Sequence, residues 1–253
     1  MGPHKTQNRC VIKYPPRLDQ TAEERKLMGN GANHRTRVGA KRRQEMHDKL
    51  LMSGVCLAAE KSIHNIRIDE VIEHARVSRG TFYNYFRSVQ ELFAALASQI
   101  ADEFTAGMDL WGQSIPDPAL RVSVLTRAAM RTFASTPRLG HLILQIEWPT
   151  PKDKKDPFQS IENDVQSGID QGRFESMPIA IGTSLIVSGL KGGVHAMLMS
   201  PPAIGYEDQA VYHILLGLGV EASEAKVLSS TPLPPLPEMS PDGILAKITN
   251  SSM

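Results

Sequence analysis

Residues 76–87 gather the side chains best equipped for chemistry in this 253-residue chain. They read Arg76-Val77-Ser78-Arg79-Gly80-Thr81-Phe82-Tyr83-Asn84-Tyr85-Phe86-Arg87, with three arginines and no acid. Those groups suit recognition of a polyanion whose edges can be read. A guanidinium such as that of Arg79 can bond bidentately to guanine, and an amide such as that of Asn84 to adenine, in the major groove of DNA. Thr81, Tyr83 and Tyr85 offer hydroxyls to phosphates and carbon surface to thymine methyls. Gly80 lets the backbone approach a phosphate with no side chain in the way. Ser78 is placed to cap a helix by accepting a backbone N–H. Phe82 and Phe86, four residues apart, share a helical face. The pattern predicts a short helix held by its phenyl rings and presenting its polar sides to DNA. A helical hairpin with a merely polar surface is the alternative on pattern alone.

Other segments must position that helix. Ile68, Val71, Ile72 and Ala75 form the inward face of a preceding short helix, with Asp69, Glu70 and Glu73 on its wet side. Two short helices joined by a three- to four-residue turn make a helix-turn-helix, in which the second helix enters the major groove and the first crosses the backbone. Upstream, Leu50, Leu51, Gly54, Val55, Leu57 and Ala58 recur at helical steps. Their helix is expected to begin near Lys41 and stop near Ser62. Downstream, Ser88 and Glu91 have capping-box spacing and open a helix carrying Leu92, Phe93, Leu96 and Ile100 inward, past Phe104. Further helices and no strands are expected: from Asp117-Pro118 to about Ser135, over 138–147, through Ile161, Val165 and Ile169 to Gln171-Gly172, and over 178–200 and 206–222. The proline-rich tail from 229 to 253 is expected to be extended.

Composition narrows the function classes. Hydrophobic residues make up 41% and charged residues 22%, too apolar for wholesale disorder. The net charge of +1 hides an asymmetry: residues 1–43 hold 11 Lys and Arg against 3 Asp and Glu, and the remaining 17 basic residues face 24 acids. A basic front end ahead of an acidic body suggests a polyanionic partner for that end. Two cysteines, Cys10 and Cys56, cannot build a disulfide framework or a four-thiolate zinc site, and without a secretory leader a reducing interior is expected. Eight histidines include no H-E-x-x-H, and no nucleophile elbow occurs, so no metal, cofactor or catalytic residue is expected. The run 178–200 is apolar, but Lys191 and His195 argue against a membrane span. Gly217-Leu218-Gly219-Val220-Glu221-Ala222 satisfies the dinucleotide fingerprint literally, without the βαβ unit that gives it meaning. It leaves a cofactor-binding protein or helical enzyme as an alternative, beside an architectural DNA binder dominated by its basic arm.

The run Val77-Ser78-Arg79-Gly80-Thr81-Phe82-Tyr83 with Phe86, preceded by Leu57-Ala58-Ala59-Glu60 and Ile68…Val71…Ala75 and followed by Ser88…Glu91-Leu92, resembles the TetR family of bacterial transcriptional regulators over about 45–95. Beyond it, Gly168-Ile169…Gly172-Arg173-Phe174 before a long apolar helix is similar as well. Arg76 and Ser62 stand where the family usually has glycine, Ala58 where it has a bulky aromatic, and Val89 where a lysine customarily touches phosphate. The resemblance implies an all-α cytoplasmic homodimer, usually a repressor, that binds a palindromic operator in double-stranded DNA and is released by a small-molecule effector. It divides the chain into a basic extension (1–40), a helix-turn-helix domain (41–95), an effector-binding and dimerisation domain (96–228) and the tail (229–253). Arg67, Ser78, Arg79, Gly80, Thr81, Tyr83, Asn84, Tyr85 and Arg87 are the expected DNA contacts. Trp111, Met130, Phe133, Leu142, Ile146 and Trp148 are candidate pocket residues. Ser184, Ser188, Gly189 and Gly193, with His213 and Gly217 on the next helix, are candidates for the dimer contact.

Overall fold

The computed structural model describes residues 31–146, 158–199, 205–233 and 240–250, and among these every regular element is helical. In chain order they are α1 (Gly31–Glu60), a 3-10 turn at Ile63–Asn65, α2 (Ile68–Ala75), α3 (Arg79–Tyr83), α4 (Val89–Gly112), α5 (Pro118–Ser135), α6 (Pro137–Gln145), α7 (Gln159–Asp170), α8 (Ile179–Met199), α9 (Tyr206–Gly217), α10 (Ala222–Ser230) and α11 (Ile244–Asn250).

Local chemistry sets the boundaries. Asp117 caps α5 by accepting from the Ala119 N–H at 3.1 Å, with Pro118 in the first turn where its missing donor costs nothing. Ser88 Oγ accepts from the Glu91 N–H at 3.1 Å, and the Glu91 carboxylate reaches back to the Arg87 N–H at 2.6 Å. At the end of α7, Gly168 lies flat against the ring of Phe174; a Cβ there would sit 2.0 Å from a ring carbon.

Three elements depart from expectation. The first helix begins at Gly31, ten residues before Lys41 and inside the stretch read as an extension. Arg37 and the residues from Ala40 to Glu45 are exposed and are mostly good helix formers, so this part needs no apolar stripe and leaves no periodic signal. The helix expected over 206–222 is two. It stops at Gly217, turns through Gly219 at φ 86°, where a Cβ would strike Glu175, and restarts at Ala222 under a cap from the Glu221 carboxylate. Gly217–Ala222 is therefore a helix–turn–helix junction rather than a strand-to-helix turn, which removes the dinucleotide fingerprint's structural context. Finally, the tail is not extended throughout: α11 buries Ile244, Leu245 and Ile248 against α1, α4 and α6.

One apolar core runs through the molecule, from Leu50, Leu51, Phe82 and Leu92 at the front to Val165, Leu215 and Leu218 behind. Buried Arg127 of α5 pairs with Asp208 (2.7 Å) and donates to the Thr231 carbonyl (2.6 Å), tying α5 to α9 and to the end of α10. α8 is long and apolar enough to cross a membrane by length and composition, but it packs against α5, α6, α7 and α9 and carries half-buried Lys191.

Candidate nucleic-acid interface

The reading head is assembled around Phe82. Its ring is fully buried, packed on the Phe86 ring with centroids 6.0 Å apart, and Phe86 in turn lies 5.2 Å from the ring of His47 on α1. Burying both rings fixes the rotation of α3. Ser78 fixes its start: the Oγ accepts from the Thr81 N–H at 3.0 Å and lies 2.8 Å from the Thr81 hydroxyl. Between the helices, Arg76 closes α2 in the left-handed conformation, at φ 51° and ψ 52°. That geometry explains why glycine suits this position, since a side chain there meets its own carbonyl.

With Phe82 turned inward, Arg79, Gly80, Tyr83 and Asn84 are exposed, Tyr83 at 48%. Arg67 and Arg87, at the start of α2 and just past α3, are exposed too, as is Ser78, although its hydroxyl is occupied by the cap. Thr81 is half-buried. So is Tyr85, which follows the end of α3 in a turn and leans on the core near His47, 6.3 Å between ring centroids. Gly80 has open space around it: a Cβ would meet nothing nearer than Ser78 Oγ at 3.8 Å. The protein's own packing does not require glycine at that position.

Carboxylates surround the head at controlled distances. Glu70 accepts from the Arg67 N–H at 2.9 Å and pairs with Lys61; these bonds, that to Lys61 foremost, lower its pKa. Arg79 is bonded to Asp69 of α2, an exposed pair that raises the guanidinium's pKa. In the protein alone, the best candidate for reading guanine rests on a neighbouring carboxylate.

Behind the head lies an apolar cavity of about 120 Å³. Its walls come from α4 (Phe104, Thr105, Met108), α5 (Val122, Thr126, Phe133), α6 (Ile143), α7 (Ile161, Asp164), α8 (Ile186, Leu190, Lys191) and Phe158. Of the five candidate pocket residues among the described residues, only Phe133 reaches this wall. Met130 is drawn away onto Gly193, and Leu142 and Ile146 fill the core while Ile143, one residue on and 100° round the helix, faces the cavity. Trp111 is half-buried at the end of α4, outside the lining, and Trp148 lies outside the described residues. Lys191 and Asp164 were not singled out as pocket groups from the sequence; their signal is a charge within an otherwise apolar helical face.

The small residues of α8 divide. Ser184 and Ser188 are exposed, as are His213 and Gly217 of α9. Gly193 is buried against Met130, and a Cβ on Gly189 would strike Ile214 at 2.6 Å, so both glycines admit helices of their own chain rather than a second copy.

Two short helices across a tight turn, with a buried aromatic anchor and a polar outer face, make a helix-turn-helix, the layout of a DNA-reading head, ahead of a helical C-terminal region. Residues 50–96 match the model of the "Bacterial regulatory proteins, tetR family". The Transcriptional regulator AcuR of Cereibacter sphaeroides is 30% identical over 92 residues, covering 35% of this chain and 41% of AcuR, so the match spans about two-fifths of that relative. The crystal structure of RolR without ligand superposes with a TM-score of 0.58 at 26% identity over 77% of this chain and 100% of RolR. FadR from Bacillus subtilis in complex with stearoyl-CoA shares the fold, with a TM-score of 0.53 at 14% identity over 68% of this chain and 98% of FadR. Residues 50–96 are thus similar to the DNA-binding region of TetR-family transcriptional regulators, and the described helices share the fold of solved proteins of that kind.

Proposed function

We propose that this chain is a non-enzymatic, cytoplasmic repressor that binds a palindromic operator as a homodimer and lets go when a small molecule fills the cavity. The observation that carries the reading is the fixed, solvent-facing set Arg79, Gly80, Tyr83 and Asn84 on α3, held outward by the burial of Phe82. Each copy of α3 would read one half-site, with two half-sites about one helical turn apart. Arg67, Arg87 and the hydroxyls of Thr81 and Tyr85 are then suited to phosphates, and Ser78 contributes by setting the helix's first turn.

The dimer contact fits the outer faces of α8 and α9. Ile181, Ser184, Leu185, Ser188, His195 and Met199 form one exposed stripe on α8, and His213 and Gly217 extend it on α9. Two copies would bury this apolar stripe in a four-helix contact.

Release would run through α4, which begins six residues after Tyr83 and walls the cavity at Phe104, Thr105 and Met108. A ligand binding one spacing of the heads better than the other shifts the population between them. That RolR was also crystallised with resorcinol supports a small organic effector. Selecting bound DNA from a random pool, then repeating the selection with metabolite mixtures, tests both halves. A palindromic consensus that one mixture abolishes supports the reading; an unenriched pool refutes it.

A further inference from the structure

We propose that the cavity takes an uncharged single-ring aromatic molecule bearing a hydrogen-bonding oxygen, its ring against Phe104 and Phe133 and that oxygen bonded to the Thr126 hydroxyl. This rests on the effector reading above and gives it a ligand class. Size comes first. The cavity holds about 120 Å³, near the capacity of dry protein cavities that accept benzene, on the order of 150 Å³. A long acyl chain or a nucleotide exceeds it. Shape follows from the rings: Phe104 and Phe133 meet in the wall from α4 and α5 at 4.7 Å between centroids, tilted by 34°. An aromatic guest gains offset or edge contacts there that an aliphatic one of equal area does not.

Thr126 sets the polar group. It lies in the middle of α5, lines the cavity and is 5% exposed. A buried hydroxyl ordinarily finds a partner, and its neighbours on α5 do. Ser123 donates to the Leu228 carbonyl at 2.9 Å, and Thr132 donates to the Ala128 carbonyl, four residues back, at 2.9 Å. Thr126 makes no hydrogen bond among the described residues. Its oxygen is nonetheless not sealed in, as the partnerless Thr183 Oγ1 of α8 is, and the space that opens onto it is the cavity. Left so, the hydroxyl bears a desolvation cost that an oxygen on the guest removes. A threonine hydroxyl can donate or accept, so a phenol hydroxyl and an aryl carbonyl both suit it.

Charge disfavours an ionic guest. Asp164 and Lys191 are the charged groups among the described residues of the wall, and both are engaged within the protein. Arg121 Nε is 2.6 Å from Asp164 Oδ1, and Lys191 has an interaction of its own. An ion entering the cavity would have to break one of these engagements or be buried without a counter-charge. Either costs more than seating a neutral molecule. Thr105 and Ser160, half-buried, add uncharged hydroxyls to the same wall.

The test is calorimetric titration of the full chain at neutral pH with phenol, its apolar isostere toluene, and benzoate. Phenol should bind, and benzoate should bind at least about tenfold more weakly. Thr126→Val keeps the shape of the side chain and breaks no hydrogen bond among the described residues, so the melting temperature should not fall. It should weaken phenol about 5- to 100-fold, by leaving the guest's hydroxyl unpaired, while toluene binds as tightly as before or more so. Thr126→Ser retains the hydroxyl and should keep phenol within about threefold of the unsubstituted chain. Phenol affinity unmoved by Thr126→Val, toluene weakened by as much as phenol, or benzoate as tight as phenol overturns the assignment. If none of the three probes binds while a metabolite mixture still releases operator DNA, the ligand class falls and the effector reading stands. If no mixture releases DNA, the effector reading falls, whatever phenol does.

Discussion

Replacing Asp69 with alanine should tighten specific DNA binding, and only while Arg79 is present. Arg79 and Asp69 are bonded across the turn between α2 and α3, with side chains 55% and 69% exposed. Reading guanine requires the guanidinium to leave that carboxylate. Solvent-exposed ion pairs hold weakly, so removing the competitor should improve affinity by about two- to fivefold. Taking Asp69 away also removes a negative charge near phosphates, and that background must be separated. Glu73→Ala, on the exposed face of the same helix, measures it. Arg79→Ala should cost roughly 5- to 150-fold at one base position and relax preference there. In the double variant the gain specific to Asp69 should vanish, leaving only what Glu73→Ala gives, because the two side chains act as a unit. Fluorescence anisotropy on a selected operator at fixed salt reads the four variants against the unsubstituted chain, since affinity here depends steeply on ionic strength. An equal gain from Asp69→Ala with and without Arg79 would refute the argument.

Other outcomes follow from single sites. Gly80→Ala meets open space and removes a helical glycine, so stability in urea should rise by about 0.5–1 kcal/mol while operator affinity falls; unchanged affinity would mean no DNA backbone approaches there. Arg76→Gly relieves the left-handed conformation at φ 51° and should stabilise the fold by about 0.5–1 kcal/mol after the extra chain entropy of glycine; destabilisation in a denaturant melt would contradict this. At the α1–α11 contact, burial alone would raise the pKa of Asp48, but His47, Lys247 (Nζ 2.5 Å away) and Gln44 outweigh it and hold it at about 2, against an ordinary 3.8. A lowered carboxylate pKa contributes stability above about pH 4 that is lost as pH falls through 2. Lys247→Met should move this acid loss upward into the window between 2 and 4, seen as melting temperature against pH; an unshifted curve would show that the pair does not hold α11 in place.

What could be seen in the sequence was whatever depends on near neighbours. Phe82 and Phe86 announce a face by their spacing, and Ser78, Ser88 with Glu91, and Asp117-Pro118 announce helix starts, because caps act within one turn. Relations across the fold were much less visible. Gly189 and Gly193 say that something comes close, yet not that it is Ile214 and Met130 of the same chain. Whether Leu142 or Ile143 faces a cavity depends on a rotation of α6 set by α1 and α8, which no local signal encodes. α11 escaped notice because prolines precede it and its three buried side chains gain their meaning only against α1, α4 and α6. The start of α1 was invisible for the opposite reason: its exposed turns bury too little to leave a pattern.

The central claim is that the outer face of α3 lies against base edges. Photo-crosslinking tests it most directly, with 5-iodouracil placed singly through a selected operator half-site and the attached peptide located by mass spectrometry. The account predicts attachment at Tyr83, the most exposed ring on α3, from one or two adjacent positions in each half-site. Crosslinks confined to residues 1–43, or to α8 and α9, would contradict it.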